Sequence, residues 1–286
     1  MKPLGLASVL VATDFSDGAH CALTRAARLP LRPDARITLV HVLPNDIPGK
    51  LRSQAVGESG RALAQAADEL SALGRASGNE GWLIGCETLE GSAAKQITKR
   101  ARAVDADLVM VGRHGRRPIA DFFVGSTAQK VLRLGEAPVL LVRRATEAPY
   151  QRVLVGLSLE SGAAKVLRAS RLLATSPTIQ VFHASHVPFE EYVALGGELA
   201  LRYRNEYSEE ASSRLDTLVG KSRLEATISI KPGDPRQLLL DEVSAFGADL
   251  LVLGTHGRKG LERMVLGSVA EWVLARVDVD TLIVRT

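Results

Sequence analysis

Aromatic residues are scarce in this 286-residue chain, where Phe, Tyr and Trp together make 4%. So few rings leave little for the stacking platforms that hold single-stranded nucleic acid, and no nucleic-acid partner is expected. Cysteine is scarcer. Cys21 and Cys86 are the two in the chain and lack CxxC spacing, which removes a disulfide framework, a zinc ribbon and a redox motif and points to a reducing compartment. No apolar run approaches the ~18 residues a membrane span needs. Lys2 followed by Leu4 to Ala12 imitates a short signal peptide. The same pattern, Val9-Leu10-Val11-Ala12, returns as Val153-Leu154-Val155-Gly156 deep inside the chain, so both read as first strands and a cytoplasmic protein is expected. A large excess of charge of either sign is also missing: 36 basic residues face 32 acidic ones. Residues 1–143 carry 19 Lys/Arg against 14 Asp/Glu and the remainder 17 against 18, which makes the first half the better host for an anion.

The length suits two domains of roughly 100 to 200 residues, each able to bury its own core. An internal repeat supports that division. Sliding the chain by 142 residues lays Asp105–Arg143 on Gly247–Arg285 with 15 of 39 positions identical, among them Gly112/Gly254, His114/His256, Gly115/Gly257, Arg116/Arg258, Gly125/Gly267 and Ser126/Ser268. The boundary falls in the polar segment Arg144–Gln151, giving expected domains 1–145 and 150–286.

Within each half, apolar runs alternate with helical patterns. Strands are expected near Ala7–Thr13, Arg36–Leu43, Trp82–Thr88, Asp107–Val111 and Pro138–Val142, and helices near Ser16–Leu29, Ser53–Ser77, Ser92–Val104 and Gly125–Leu134, with the second half repeating the order. Strands that read as continuous apolar runs between helices imply a parallel sheet covered on both faces. The predicted fold class is α/β: two tandem, doubly wound, mainly parallel five-stranded α/β sandwich domains. The longest helix has Tyr192, Leu195, Leu199, Tyr203, Tyr207, Ala211, Leu215 and Leu218 at steps of three or four, the stripe of an amphipathic helix, with Gly196-Gly197 in its first turn. The last strands, Pro138–Val142 and Thr281–Val284, are apolar edges expected to pack the halves together as an intrachain pseudo-dimer; the same edges allow a homodimer.

Ligands of open α/β sheets bind at the carboxyl ends of the strands, where the strand order switches. Gly112-x2-Gly115-x9-Gly125-Ser126 falls there, and Gly254-x2-Gly257-x9-Gly267-Ser268 repeats it. The spacing arises by chance about 0.01 times in such a chain, so two copies in register are informative. Gly112 and Gly115 would let backbone approach a ligand, while Gly125 and Ser126 open a helix whose free amides and hydroxyl favour an anion. Arg113, Arg116 and Arg117 add charge. Tight turns and helix caps alone are the plainer explanation. His183 and His186 near Glu190 and Glu191 suggest a metal, against which stands their place at a strand end, where solvated loop histidines are common; no metal site is assigned. The chain has no GxxxxGK[ST] loop, no GxGxxG after its first strand and no GxSxG elbow, so no catalytic residue is assigned. His114 and His256 sit between glycines, where shaping the backbone or facing a phosphate is as good a role as general base.

These motifs resemble the universal stress protein family, whose signature is Gly-x2-Gly-x9-Gly-Ser/Thr. The resemblance extends to Val11-Ala12-Thr13-Asp14-x-Ser16 and Leu39-Val40-His41-Val42, and covers nearly the whole chain as two copies. It implies an adenine nucleotide alpha hydrolase-like fold, a role in stress response, and ATP as ligand. It assigns nucleoside contact to Asp14, adenine contact to the backbone of Val42, and phosphate contact to Gly112, Arg113, Gly115, Gly125, Ser126 and Thr127. Asp14 is also placed to cap the helix near Ser16. In the second copy Ser158 stands where the first has Asp14, and Ala184 where it has Val42, so nucleotide binding at Gly254, Gly257, Gly267 and Ser268 is the poorer expectation. The rivals are a slow ATPase or phosphotransfer enzyme at the same loop, with Mg²⁺ held by the phosphates and Asp14, and a nucleotide-free scaffold.

Overall fold

The computed structural model describes residues 5–113, 125–146, 148–159, 162–173, 175, 177–185, 198–255 and 266–286, with backbone alone for 198–207. The first half runs β1 Leu6–Ala12, α1 Asp17–Ala26, β2 Leu31–Leu43, α2 Gly49–Ala76, β3 Leu83–Glu90, α3 Ala93–Ala103, β4 Leu108–Gly112, α4 Ser126–Leu134 and β5 Val139–Val142. The second runs β6 Arg152–Gly156, α5 Ala163–Ser170, β7 Thr178–Ser185, α6 Glu198–Ser222, β8 Thr227–Pro232, α7 Pro235–Phe246, β9 Leu250–Gly254, α8 Ser268–Leu274 and β10 Asp280–Val284.

Alternate residues of each strand face opposite helix layers, which is why the strands read as unbroken apolar runs. On β1, Val9 and Val11 pack with Ala22 and Leu23 of α1 and Leu63 and Leu70 of α2, whereas Leu10 and Ala12 pack with Ile97 of α3 and Val131 of α4. The second half does the same: Val153 and Val155 lie on the side of α5 and α6, and Leu154 on the side of α7 and α8. Ala211 and Leu215 of the expected α6 stripe are buried; Tyr192, Leu195, Gly196 and Gly197 and the side chains of Leu199, Tyr203 and Tyr207 lie outside the described residues.

Two element starts differ from the sequence pattern. β2 begins at Leu31 rather than near Arg36, because Leu6 pairs with Leu31 before a register irregularity places Ser8 opposite Arg36. Pro33, which has no N–H for the ladder, falls in that irregular stretch. α2 begins at Gly49, four residues before the expected Ser53, since Pro48 at the N-cap starts a helix without a side-chain cap.

The two halves share one ten-stranded sheet of order β3-β2-β1-β4-β5-β10-β9-β6-β7-β8. Every pairing is parallel except the central one, where Thr281, Leu282 and Ile283 of β10 run antiparallel to Leu141, Leu140 and Val139 of β5. Thus the two last strands do pack the halves together, as one continuous sheet rather than two sheets in contact.

A polar cluster that no repeat pattern announced closes this seam. The Asp280 carboxylate, 3% exposed, accepts from Arg25 Nε at 3.1 Å, from the Tyr150 hydroxyl at 2.7 Å and from the backbone N–H of Arg143 at 2.8 Å. The Arg25 guanidinium lies 4.0 Å from the centre of the Tyr150 ring and donates to Ala148 O at 2.8 Å. Burial and the neighbouring carboxylate push the Tyr150 hydroxyl well above its ordinary pKa, which keeps it a donor. Around the local twofold axis, Arg143 Nη2 donates to Leu274 O at the end of α8, and Arg285 Nη1 donates to Gly135 O at the end of α4. Each arginine therefore satisfies a terminal carbonyl of the other half's helix.

Two outcomes are expected. Residues 1–145 expressed alone expose the β5 edge and should form a dimer or an insoluble product; a soluble, stable monomer in light scattering would contradict the seam's importance. In the full chain, Asp280→Ala leaves Arg25 buried without its carboxylate and should cost about 3 to 5 kcal/mol in denaturant unfolding. A loss under about 1 kcal/mol would mean that solvent reaches the cluster.

Candidate functional site

β2, β1 and β4 are neighbours, and the strand order switches between β1 and β4, so their carboxyl ends form one platform. Ala12 pairs with Val40 and Val11 with Met110, so Asp14, Val42 and Gly112 each lie two residues beyond Ala12, Val40 and Met110, at the same edge of the sheet. The loop after β1 is tightly specified. Thr13 N–H donates to Val40 O at 2.9 Å, Thr13 Oγ1 accepts from Phe15 N–H at 3.0 Å, and His41 Nδ1 bonds Thr13 O at 2.8 Å. Phe15 takes a positive φ of 60° with its ring 4.5 Å from that of His41. This strained turn holds Asp14 at the crest of the platform.

The capping alternative for Asp14 resolves into two layers. Ser16 is the N-cap of α1, its Oγ accepting from Ala19 N–H at 3.3 Å. Asp14 Oδ1 stands behind it, accepting from Ser16 N–H at 3.1 Å and Ser16 Oγ–H at 2.5 Å. His41 was quoted in the strand pattern without a role; the recurrence of a histidine 142 residues later was the signal. His183 Nδ1 bonds Leu157 O at 2.8 Å, repeating the His41–Thr13 brace. Burial lowers the pKa of His183, which favours the neutral ring. His186, Glu190 and Glu191 lie outside the described residues, among which no cluster of His, Cys, Asp and Glu could hold a metal.

The glycine loop shows different roles for its members. A Cβ on Gly112 would stand 2.3 Å from Gly18 O and 2.4 Å from Gly18 C, so the backbone that approaches Gly112 is the chain's own first turn of α1, not a ligand. Gly125 has φ −53° and ψ 143°, ordinary extended values that any residue adopts, so the positive φ that could have explained it is absent. Its N–H donates to Arg113 O at 2.9 Å, and Arg113 N–H to Val142 O at 2.9 Å, pinning both described ends of the loop to the sheet. Gly115, with His114, Arg116 and Arg117, lies outside the described residues. α4 then begins at exposed Ser126 and Thr127, with Gly125 at its N-cap and no side-chain cap among the described residues. The Arg113 side chain, 15% exposed, reaches toward the other half, with Nη1 3.7 Å from Asp278 Oδ1.

The second copy repeats the hydrogen bonds that anchor the loop but differs in chemistry. Thr255 N–H donates to Val284 O at 3.0 Å and Gly267 N–H to Thr255 O at 2.7 Å, matching Arg113 and Gly125. Ser158 is exposed where Asp14 stands. The Cβ position of Gly254 is crowded by Thr286 Cγ2 at 3.0 Å and Val166 Cγ2 at 3.3 Å, and that of Gly162 by Thr286 Cβ at 2.3 Å. α8 is also two residues shorter than α4, with Ser268 exposed at its start. Gly257, His256 and Arg258 lie outside the described residues.

The sequence profile of the Universal stress protein family matches residues 6–143 and again 149–285. A universal stress protein of Mycolicibacterium smegmatis is 26% identical over 294 residues, spanning 97% of this chain and 96% of that one. Universal stress protein A homolog 2 of Coxiella burnetii is 28% identical over 140 residues, 48% of this chain and 95% of its own. The crystal structure of a universal stress protein from Archaeoglobus fulgidus superposes with a TM-score of 0.69 at 16% identity, covering 97% of this chain and 96% of that one, and so shares the fold.

The two glycines should separate on substitution. Gly112→Val collides with fixed backbone and should lower the unfolding free energy by about 1 to 3 kcal/mol or more. Gly125→Val should fold like the parent and weaken ATP binding by roughly 5- to 150-fold if backbone approaches phosphate there. Thermal melts and calorimetric titration check both. Parental ATP affinity in folded Gly125→Val would mean that no phosphate approaches the backbone there.

Proposed function

Since the chain belongs to the universal stress protein family, we propose that it is a stress-response regulatory protein that binds ATP, or a related adenine nucleotide, in its first half, while its second half is mainly structural. The observation that carries this reading is the asymmetry at the first strand's end. A carboxylate, Asp14, stands there in one half and a hydroxyl, Ser158, in the other, each next to a residue whose carbonyl a histidine braces. The donor set fits the ligand. Asp14 accepts ribose hydroxyls, the backbone at Val42 meets the adenine edge, and the start of α4 at Gly125, Ser126 and Thr127 receives phosphates. Mg²⁺, when bound, travels with those phosphates. Free Cys21 and Cys86 suit a reducing cytoplasm.

The reading treats the protein as a binding module. None of the sequence motifs that activate a nucleophile accompanies the loop, so steady-state phosphate release should stay near the uncatalysed level. Hydrogen bonds to a charged partner contribute about 1.5 to 3 kcal/mol, so a site without the carboxylate should bind roughly 10- to 150-fold more weakly. Calorimetry on the full chain should therefore find one tight adenine-nucleotide site. Asp14→Ala should nearly abolish it and Ser268→Ala should change it little. Two equivalent sites, or a dominant response to Ser268→Ala, would move the function to the second half.

A further inference from the structure

We propose that the free edge of β3 and the helix α2 above it form a twofold interface on which a second copy of this chain docks, with β3 pairing antiparallel to its own copy about Cys86. The interface requires no ligand.

β3 and β8 end the ten-stranded sheet, and the two edges are unlike. β8 carries Lys231 and Pro232, residue types that keep an edge from pairing further. β3 instead leaves Leu83 58% exposed, the most exposed large apolar side chain among the described residues, with Gly85 and Cys86 open beside it. Gly91 N–H donates to Leu43 O at 2.8 Å, so by the alternation of a parallel ladder the N–H and C=O groups of Ile84, Cys86 and Thr88 point to the open edge. An antiparallel copy centred on Cys86 satisfies these groups in pairs, Cys86 with Cys86 and Ile84 with Thr88. The same register sets Leu83 opposite Leu89 and Glu87 opposite Gly85, whereas moving the centre by one residue would set Glu87 against Glu87 or Leu83 against Glu87.

α2 matches this register. Glu69 lies 3.5 Å from His20 of α1 and so marks the flank of α2 that faces inward. The opposite flank, toward the open edge, carries Gly57, Gly60 and Ala64. A Cβ on either glycine would meet nothing within 4 Å among the described residues, and neither has a positive φ. Glycine weakens a helix interior, and nothing within one chain requires it there. Two copies of α2 beside a shared strand pair would stand about 8 to 10 Å apart, a spacing that small side chains permit. Cys86 Sγ donates to Leu63 O at 3.4 Å, so the axis through Cys86 crosses α2 close to Ala64. About that level, on antiparallel helices, exposed Arg61 falls opposite Asp68 of the second copy, and Asp68 opposite its Arg61. Strand and helix are thus self-complementary about one axis, in apolar contact and in charge.

Sedimentation equilibrium of the full chain at micromolar concentration tests the interface, and the parent should be a dimer. Gly60→Lys should yield a monomer that stays folded by circular dichroism, since lysine suits an exposed helix position better than glycine. Arg61→Glu and Asp68→Arg should each weaken dimerisation by roughly 3- to 30-fold, the scale of two symmetric exposed ion pairs, and the double variant should recover it. In a Cys21→Ser background a short bismaleimide should link two chains, and Cys86→Ser should abolish the link. A monomeric parent, a dimer indifferent to Gly60→Lys, a double variant no better than either single one, or a dimer that Cys86 does not cross-link would overturn the interface.

Discussion

Asp280 sits where the two halves of the chain become one sheet, and its buried carboxylate constrains everything around it. A charge taken out of water is tolerated only when paired and fully hydrogen-bonded. Arg25 from α1, Tyr150 from the linker and the Arg143 backbone from the end of β5 meet that demand together. Opening the seam would strand both Asp280 and Arg25, in addition to exposing the β5 and β10 edges. The linker is thereby part of the core: Tyr150 is fully buried, and Ala148 accepts from Arg25.

The antiparallel seam also determines what each site sees. Because β10 runs opposite to β5, the end of α8 and the turn carrying Asp278 arrive at the carboxyl edge of the first half. The end of α4 and Gly135 arrive at the carboxyl edge of the second. The local twofold axis thus gives equivalent surroundings to two sites of unequal chemistry. Asp14, Arg113 and Arg144 face Ser158, Thr255 and Thr286, so duplication preserved the scaffold while the polar groups diverged.

Much of the fold was legible because it depends on local pattern. Continuous apolar strands between helices imply a sheet covered on both faces, and the observed layers follow from residues as near as Val11 and Ala12 facing opposite sides. Less legible were positions whose role depends on distant neighbours. Gly112 looked like a ligand glycine, yet its missing Cβ admits Gly18, 94 positions earlier. Arg113 looked like a phosphate residue of its own half, yet it reaches Asp278 across the seam. The early start of β2 depends on how Leu6 registers with Leu31, which no local pattern encodes.

The sequence by itself determined the α/β alternation, the duplication and the loss of a carboxylate at Ser158, since each is written in residue order, periodicity or identity. Tertiary structure alone decided that Asp280 is a buried partner of Arg25, 255 positions away. It decided too that His41 and His183 brace the turns after β1 and β6, and that Arg113 and Arg144 meet Asp278 of the other half. The reason is physical: a pattern records which face of an element is apolar, whereas the strength of a polar contact depends on the distance and burial of groups brought together from remote parts of the chain.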